Sequence, residues 1–197
     1  MPLSLPNAIT LSRIPLMFVI VGLMYCACPG AATLAFALFI AGAVGDWLDG
    51  YLARRLKLVS NFGKLMDAMS DKIMVMGIVI ALVEKREIPV ALALITLCRE
   101  FLITGMRMVA ASKGIVVAAD SGGKSKTLTQ LIALGFFLGA PMLAVDFAFF
   151  FNWNASSAVE FVNKVGVIIF VAGTVLSVWS GYRYIARNAR LVFADEA

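Results

Sequence analysis

Four aspartates stand between residues 46 and 71, at the edges of apolar stretches: Asp46, Asp49, Asp67 and Asp71. Asp46 and Asp49 are three apart, and Asp67 and Asp71 four apart, so on helices each pair shares a face and can chelate. An antiparallel helical hairpin turning near Val59 would bring Asp46 level with Asp71, and Asp49 level with Asp67. All four carboxylates then converge. One ionised aspartate at the centre of a membrane helix already costs roughly 2.5–3.5 kcal/mol, so such a cluster calls for cations. Hard oxygen donors select Mg²⁺, with Mn²⁺ as a substitute, over zinc or copper. Two such ions about 3.5–4 Å apart are the arrangement that clamps a phosphoryl group during displacement. A purely structural reading has the same acids capping helix ends or pairing with Arg54, Lys64 and Lys72. Capping, however, does not require four convergent acids. Gly50 and Gly63 would let a bulky ligand approach the backbone, although glycine is common in membrane helices.

The elements that must carry these acids are apolar helices. Apolar residues make up 61% of the 197, charged residues only 15%, and the mean hydropathy is +0.93, beyond the range of an ordinary soluble domain. About 20 helical residues cross a hydrocarbon core of roughly 30 Å. Runs of that size fall at about 8–28, 32–56, 64–84, 89–112, 127–150 and 161–184. The expected fold is therefore all-α, a polytopic membrane protein of six transmembrane helices forming a single domain over residues 1–197, without internal repeat or low-complexity segment. Arg13 ahead of an apolar run ending in Cys26, Ala27 and Cys28 imitates a signal peptide, but five further spans favour an uncleaved first helix. The three cysteines, Cys26, Cys28 and Cys98, lack zinc spacing and read as small apolar membrane residues. Histidine is absent, which leaves acid–base and metal chemistry to carboxylates. The sequon at Asn154 is short enough to arise by chance.

Charge sets the expected orientation. Arg54, Arg55, Lys57 and Lys64 lie between the second and third spans, Lys113, Lys124 and Lys126 lie before the fifth, and Arg183, Arg187 and Arg190 lie in the tail. The opposite connections hold only Lys85, Arg86 and Lys164, offset by Glu84, Glu87 and Glu160. The basic face is expected in the cytoplasm, with both termini. Most of these residues read as topology signals rather than ligands. The tail arginines would also rest on anionic headgroups, worth roughly 1 kcal/mol per charge.

Residues 46–71 match the pattern D-x2-D-G-x2-A-R-x8-G-x3-D-x3-D at every fixed position, and in this the chain resembles the CDP-alcohol phosphotransferase family. The resemblance implies six transmembrane helices, a cytoplasm-facing site in the inner (cytoplasmic) membrane, a homodimer, and two Mg²⁺ ions bridged to the diphosphate of a CDP-linked donor. It makes Asp46, Asp49, Asp67 and Asp71 the metal ligands, with Asp71 also the acid that accepts the alcohol proton. Gly50, Arg54 and Ser60 resemble contacts to the CDP part of the donor, and Ala53 and Gly63 positions where the cytidine passes closely. Within the family the chain looks most like the bacterial members that join CDP-diacylglycerol to glycerol 3-phosphate. That likeness rests on Leu5-Pro6-Asn7 through Thr10 to Arg13, on Arg99-Glu100 followed by Arg107, and on Gly123-Lys124-Ser125-Lys126-Thr127. It puts Asn7 and Thr10 on the donor side, and Arg99, Arg107, Lys124 and Lys126 on the acceptor phosphate. No nucleic-acid partner is implied.

The acceptor's chemistry suits these cations. Arg99 and Arg107, eight residues apart, lie roughly 80° apart around a helix and about 12 Å along it, and arginine at membrane depth is functional by default. Glu100 offers the competing structural reading, an ion pair with Arg107. In the reaction so expected, Asp71 orients or deprotonates the acceptor hydroxyl, which attacks the phosphorus bearing the lipid, and CMP leaves. A sibling enzyme using inositol phosphate or serine would keep the 46–71 motif and change the cationic pocket. A divalent-cation transporter would need the acids but not Ala53, Arg54 and the glycines at fixed spacing.

Overall fold

The computed structural model describes the backbone of residues 5–56, 61–112, 121–151 and 156–193, and the side chains of 11–45, 69–112, 126–151 and 156–188. Its helices are α1 (Leu5–Tyr25), α2 (Ala31–Leu56), α3 (Asn61–Glu84), α4 (Val90–Ser112) and α5 (Ser121–Pro141). A π-helical turn (Met142–Phe147), α6 (Ala148–Phe151) and α7 (Ser156–Phe193) follow. Among the described residues there is no strand. The expected apolar runs coincide with these helices. The stretch before the fifth run departs from expectation, because helix already begins at Ser121 and carries Lys124 and Lys126 with it.

Short connections turn the chain back on itself. At the end of α3 the amide of Arg86 bonds Val83 O at 3.0 Å and that of Glu87 bonds Leu82 O at 3.0 Å. This is the Schellman arrangement, and it places Arg86 at φ 61°, a position glycine normally fills. α1 packs on α2 and α3, while α5 packs on α7, which also receives α4. The shared core runs through Met17 and Ile20, Phe39, Met74 and Ile78, Leu134 and Phe137, and Phe170. Phe137 and Phe170 meet edge to face at 6.4 Å. α1 and α3 approach so closely that any side chain at Gly77 would strike the Met17 sulfur.

Polarity is distributed as a bilayer requires. Phe18, Ile80, Phe101, Phe161 and Val175 point outward, while Arg13, Ser70, Thr96, Lys126, Gln130, Thr174, Ser177 and Ser180 are buried. Lys126–Phe151 and Ser156–Asn188 are long and apolar enough to cross a membrane, and Leu11–Tyr25 and Ala31–Gly45 are shorter apolar segments.

The fifth run holds a buried acid. Pro141 lacks an amide hydrogen, so the α-helical ladder is interrupted there and a π-helical turn follows. Asp146 in that turn is 1% exposed. Its carboxylate accepts the amides of Gly30 (2.7 Å) and Thr33 (2.6 Å) and the Thr33 hydroxyl (2.7 Å). The first-turn amides of α2 thus find their acceptor on another helix, where the positive end of the helix dipole favours a carboxylate.

Candidate active site

The site assembles where α3, α4, α5 and α7 meet. On α3, Asp71 and Lys72 are both half-buried. Lys72 Nζ donates to Thr104 Oγ1 on α4, and Thr104 Oγ1 donates to the Glu100 carbonyl one turn earlier at 2.7 Å. Arg99 is held from three sides. Its Nε donates to Ser177 O (2.9 Å), its Nη2 to Ser180 Oγ (2.8 Å) and its Nη1 to Glu100 Oε1 (3.0 Å). From α5, Lys126 Nζ donates to the same Glu100 Oε1. A Cβ at position 181 of α7 would lie 3.2 Å from Arg99 Cγ and Nε, so glycine there makes the bed for the guanidinium.

Arg107, exposed two turns further along α4, sits 5.5 Å above the Tyr184 ring of α7 in a cation–π contact. These charges act on one another. Lys72 feels Arg107, Asp71 and Arg99, and Lys126 feels Arg99, Lys72 and Asp71. Arg99 and Lys126 thus bond Glu100 directly, while Lys72, Arg107 and Asp71 lie near enough to act on them electrostatically.

Of the residues expected in the site, the structure gathers Asp71, Arg99, Arg107 and Lys126. The backbones of Asn7, Thr10, Asp46, Asp49, Gly50, Ala53, Arg54, Gly63, Asp67 and Lys124 lie on helices, but their side chains fall outside the described residues, and Ser60 lies outside them entirely. Among the described residues no three potential metal ligands cluster. A Cβ on Gly42 of α2 would stand 3.5 Å from Met74 Sδ of α3.

Sequence reasoning missed Lys72 and Thr104 as members of the cluster, and Ser177, Ser180 and Gly181 as its support. The competing structural reading paired Glu100 with Arg107, whereas Glu100 bonds Arg99 and Lys126. The available signal was periodicity: Glu100 and Thr104 are four apart on one face of α4, and Ser177 and Ser180 three apart on α7.

Residues 3–179 match the CDP-alcohol phosphatidyltransferase family. The chain belongs to that family. Similar proteins carry the name CDP-diacylglycerol–glycerol-3-phosphate 3-phosphatidyltransferase. One from Bacillus subtilis (strain 168) is 39% identical over 160 residues, covering 74% of this chain and 83% of its own. One from Rickettsia bellii (strain RML369-C) is 32% identical over 182 residues, covering 92% and 93%. An Arabidopsis thaliana protein, numbered 2 under that name, is 32% identical over 204 residues, covering 96% and 82%. The family match spans both the acidic motif and the cluster around Glu100.

Proposed function

We propose that this chain transfers a phosphatidyl group from CDP-diacylglycerol to glycerol 3-phosphate, releasing CMP and phosphatidylglycerophosphate. The observation that carries the reading is the cluster of Lys72, Arg99, Arg107 and Lys126 beside Asp71. A phosphate dianion on the acceptor is the ligand such a group of cations suits, and the names of the similar proteins point to the same acceptor.

The donors at Asp46, Asp49, Asp67 and Asp71 fit a hard divalent cation, since every one is a carboxylate oxygen. Their spacing, three apart on α2 and four apart on α3, supports their convergence. When bound there, two Mg²⁺ ions would neutralise the acids and draw charge from the donor diphosphate. The chain's own residues do the rest. Arg54 forks a diphosphate oxygen, and Lys126 and Arg107 seat the acceptor phosphate. Asp71 takes the proton of the acceptor's primary hydroxyl as its oxygen bonds to the lipid-bearing phosphorus, and the bond to CMP breaks. Positioning and charge supply most of the acceleration.

The donor's acyl chains need a way in from the bilayer. A groove of about 580 Å³ runs between α2 and α5, lined by Phe39, Ile40, Val44, Leu128 and Leu131 and extending to Leu143. From Leu128 to Leu143 it is roughly 20 Å long at about 1.5 Å per residue, the scale of an acyl chain, and Val44 stands two residues before Asp46. We include in the same proposal six membrane spans, cytoplasmic termini and site, and a homodimer. The charge distribution among the connections and the apolar exterior support the first two.

Purified protein supplied with CDP-diacylglycerol and Mg²⁺ tests the reaction directly. CMP release is expected with glycerol 3-phosphate and not with serine or inositol phosphate. Release with one of the latter alone would move the chain to a sibling activity, and release with no alcohol at all would refute the transfer.

A further inference from the structure

At the end of the bundle opposite the acidic motif, Cys26 and Cys28 occupy the turn between α1 and α2. Side chains two residues apart on an extended backbone share a face but stand roughly 7 Å apart, so thiols in contact require the chain to fold more tightly. The turn exists here. The Cys26 amide is tied back to Leu23 O at 3.2 Å, and Cys28 O receives the Ala31 amide at 3.1 Å. Gly30, two residues on, is fixed by the buried Asp146 carboxylate. Within this frame the two sulfurs stand 2.8 Å apart, and both residues are exposed. Cys98, the third thiol, is on α4.

We propose that Cys26 and Cys28 form a dithiol–disulfide couple that exchanges with external disulfides, whether a small-molecule disulfide or that of a thiol-oxidising protein. The Cys26 thiolate attacks one sulfur of the external disulfide, and its other half leaves as a thiolate. Cys28, after giving up its proton, attacks the Cys26 sulfur, closing the Cys26–Cys28 bond and expelling the second external thiolate. Two electrons and two protons pass from the pair to the external disulfide.

Both thiols are exposed, so the exchange can equally begin at Cys28, with Cys26 resolving. From Ala31 to Asp46 the rise is roughly 22 Å, so the couple is chemically separate from phosphatidyl transfer. Under the orientation proposed above, the turn faces the compartment where disulfides persist. Only the choice of compartment rests on that orientation.

The test uses the full-length protein in detergent, first reduced and then exposed to excess oxidised glutathione, denatured, alkylated and weighed intact. The wild type should fall from three alkylated thiols to one, lighter than the reduced and fully alkylated chain by two alkyl groups and without bound glutathione. Cys28→Ser should retain one glutathione on Cys26, because the resolving thiol is gone. Cys26→Ser should likewise retain one glutathione, on Cys28. A wild type that keeps three alkylatable thiols or a stable glutathione adduct would overturn the proposal. So would a Cys28→Ser variant that sheds glutathione as the wild type does. Neither result depends on CMP release.

Discussion

Lys126 of α5 and Arg99 of α4 share a single oxygen, Oε1 of Glu100, so these two buried cations are fixed relative to each other through one carboxylate. All three side chains are at most 12% exposed. Breaking such a pair from one side costs about 3–5 kcal/mol, because an uncompensated charge is left behind. Glu100→Gln should therefore lower the thermal unfolding midpoint in detergent sharply. Adding Lys126→Met should recover part of the loss, giving a favourable coupling in a double-mutant cycle. Additive effects of the two substitutions would contradict the pairing.

Arg99 and Arg107 should behave differently despite sharing a helix. Arg99 is anchored to α7 through Nε and Nη2, a fork that lysine cannot reproduce, so Arg99→Lys should reduce both stability and turnover. Arg107 is exposed and lies over the face of the Tyr184 ring. Arg107→Gln should leave the unfolding midpoint nearly unchanged and act on glycerol 3-phosphate. Loss of a charged hydrogen bond to phosphate is worth about 1.5–3 kcal/mol, or on the order of tenfold to a hundredfold in catalytic efficiency toward the acceptor. The Michaelis constant for CDP-diacylglycerol should stay constant; a rise confined to it would reverse the division between donor and acceptor sides.

Asp71→Asn should nearly abolish CMP release from a protein that still folds, since it removes a proposed metal donor and the proposed base together. Asp67→Asn should raise the Mg²⁺ concentration needed for half-maximal rate. Turnover in EDTA without added metal would refute the two-metal reading.

Orientation is open to labelling in intact cells, with Cys26, Cys28 and Cys98 first replaced. Ile115→Cys should react only after the cytoplasmic side is exposed, and Asn154→Cys with an impermeant reagent from outside. The opposite pattern would invert the topology.

The helices were legible because apolar runs of bilayer length leave few alternatives, and the acidic motif because its spacing is rigid. The cluster around Glu100 was only half legible. Arg99, Arg107 and Lys126 announce themselves as charges in apolar helices, but which of them meets which acid depends on helix rotation. Periodicity within one helix does not fix that rotation. Glu100 turned to Lys126, twenty-six residues away, rather than along its own helix. Lys126 looked like a loop charge because Gly122 and Gly123 suggest a turn, yet helix begins before them, and burial against α4 outweighs their low propensity. Asp146 was hidden for a similar reason. Its partners are amides, which no side-chain pattern advertises.

The π-helical turn around Asp146 has a consequence for how this sequence can change length. A π turn holds one more residue than the α turn it replaces, so losing a residue anywhere in Met142–Phe147 would let the chain relax into ordinary α-helix. The relaxed helix would be locally more regular. Residues beyond the deletion would keep nearly their present phase, because the extra residue is what the π turn holds, but Asp146 within the lost turn would swing its carboxylate away from Gly30 and Thr33. A one-residue deletion would thus free the N-terminal end of α2, the helix whose other end bears Asp46 and Asp49.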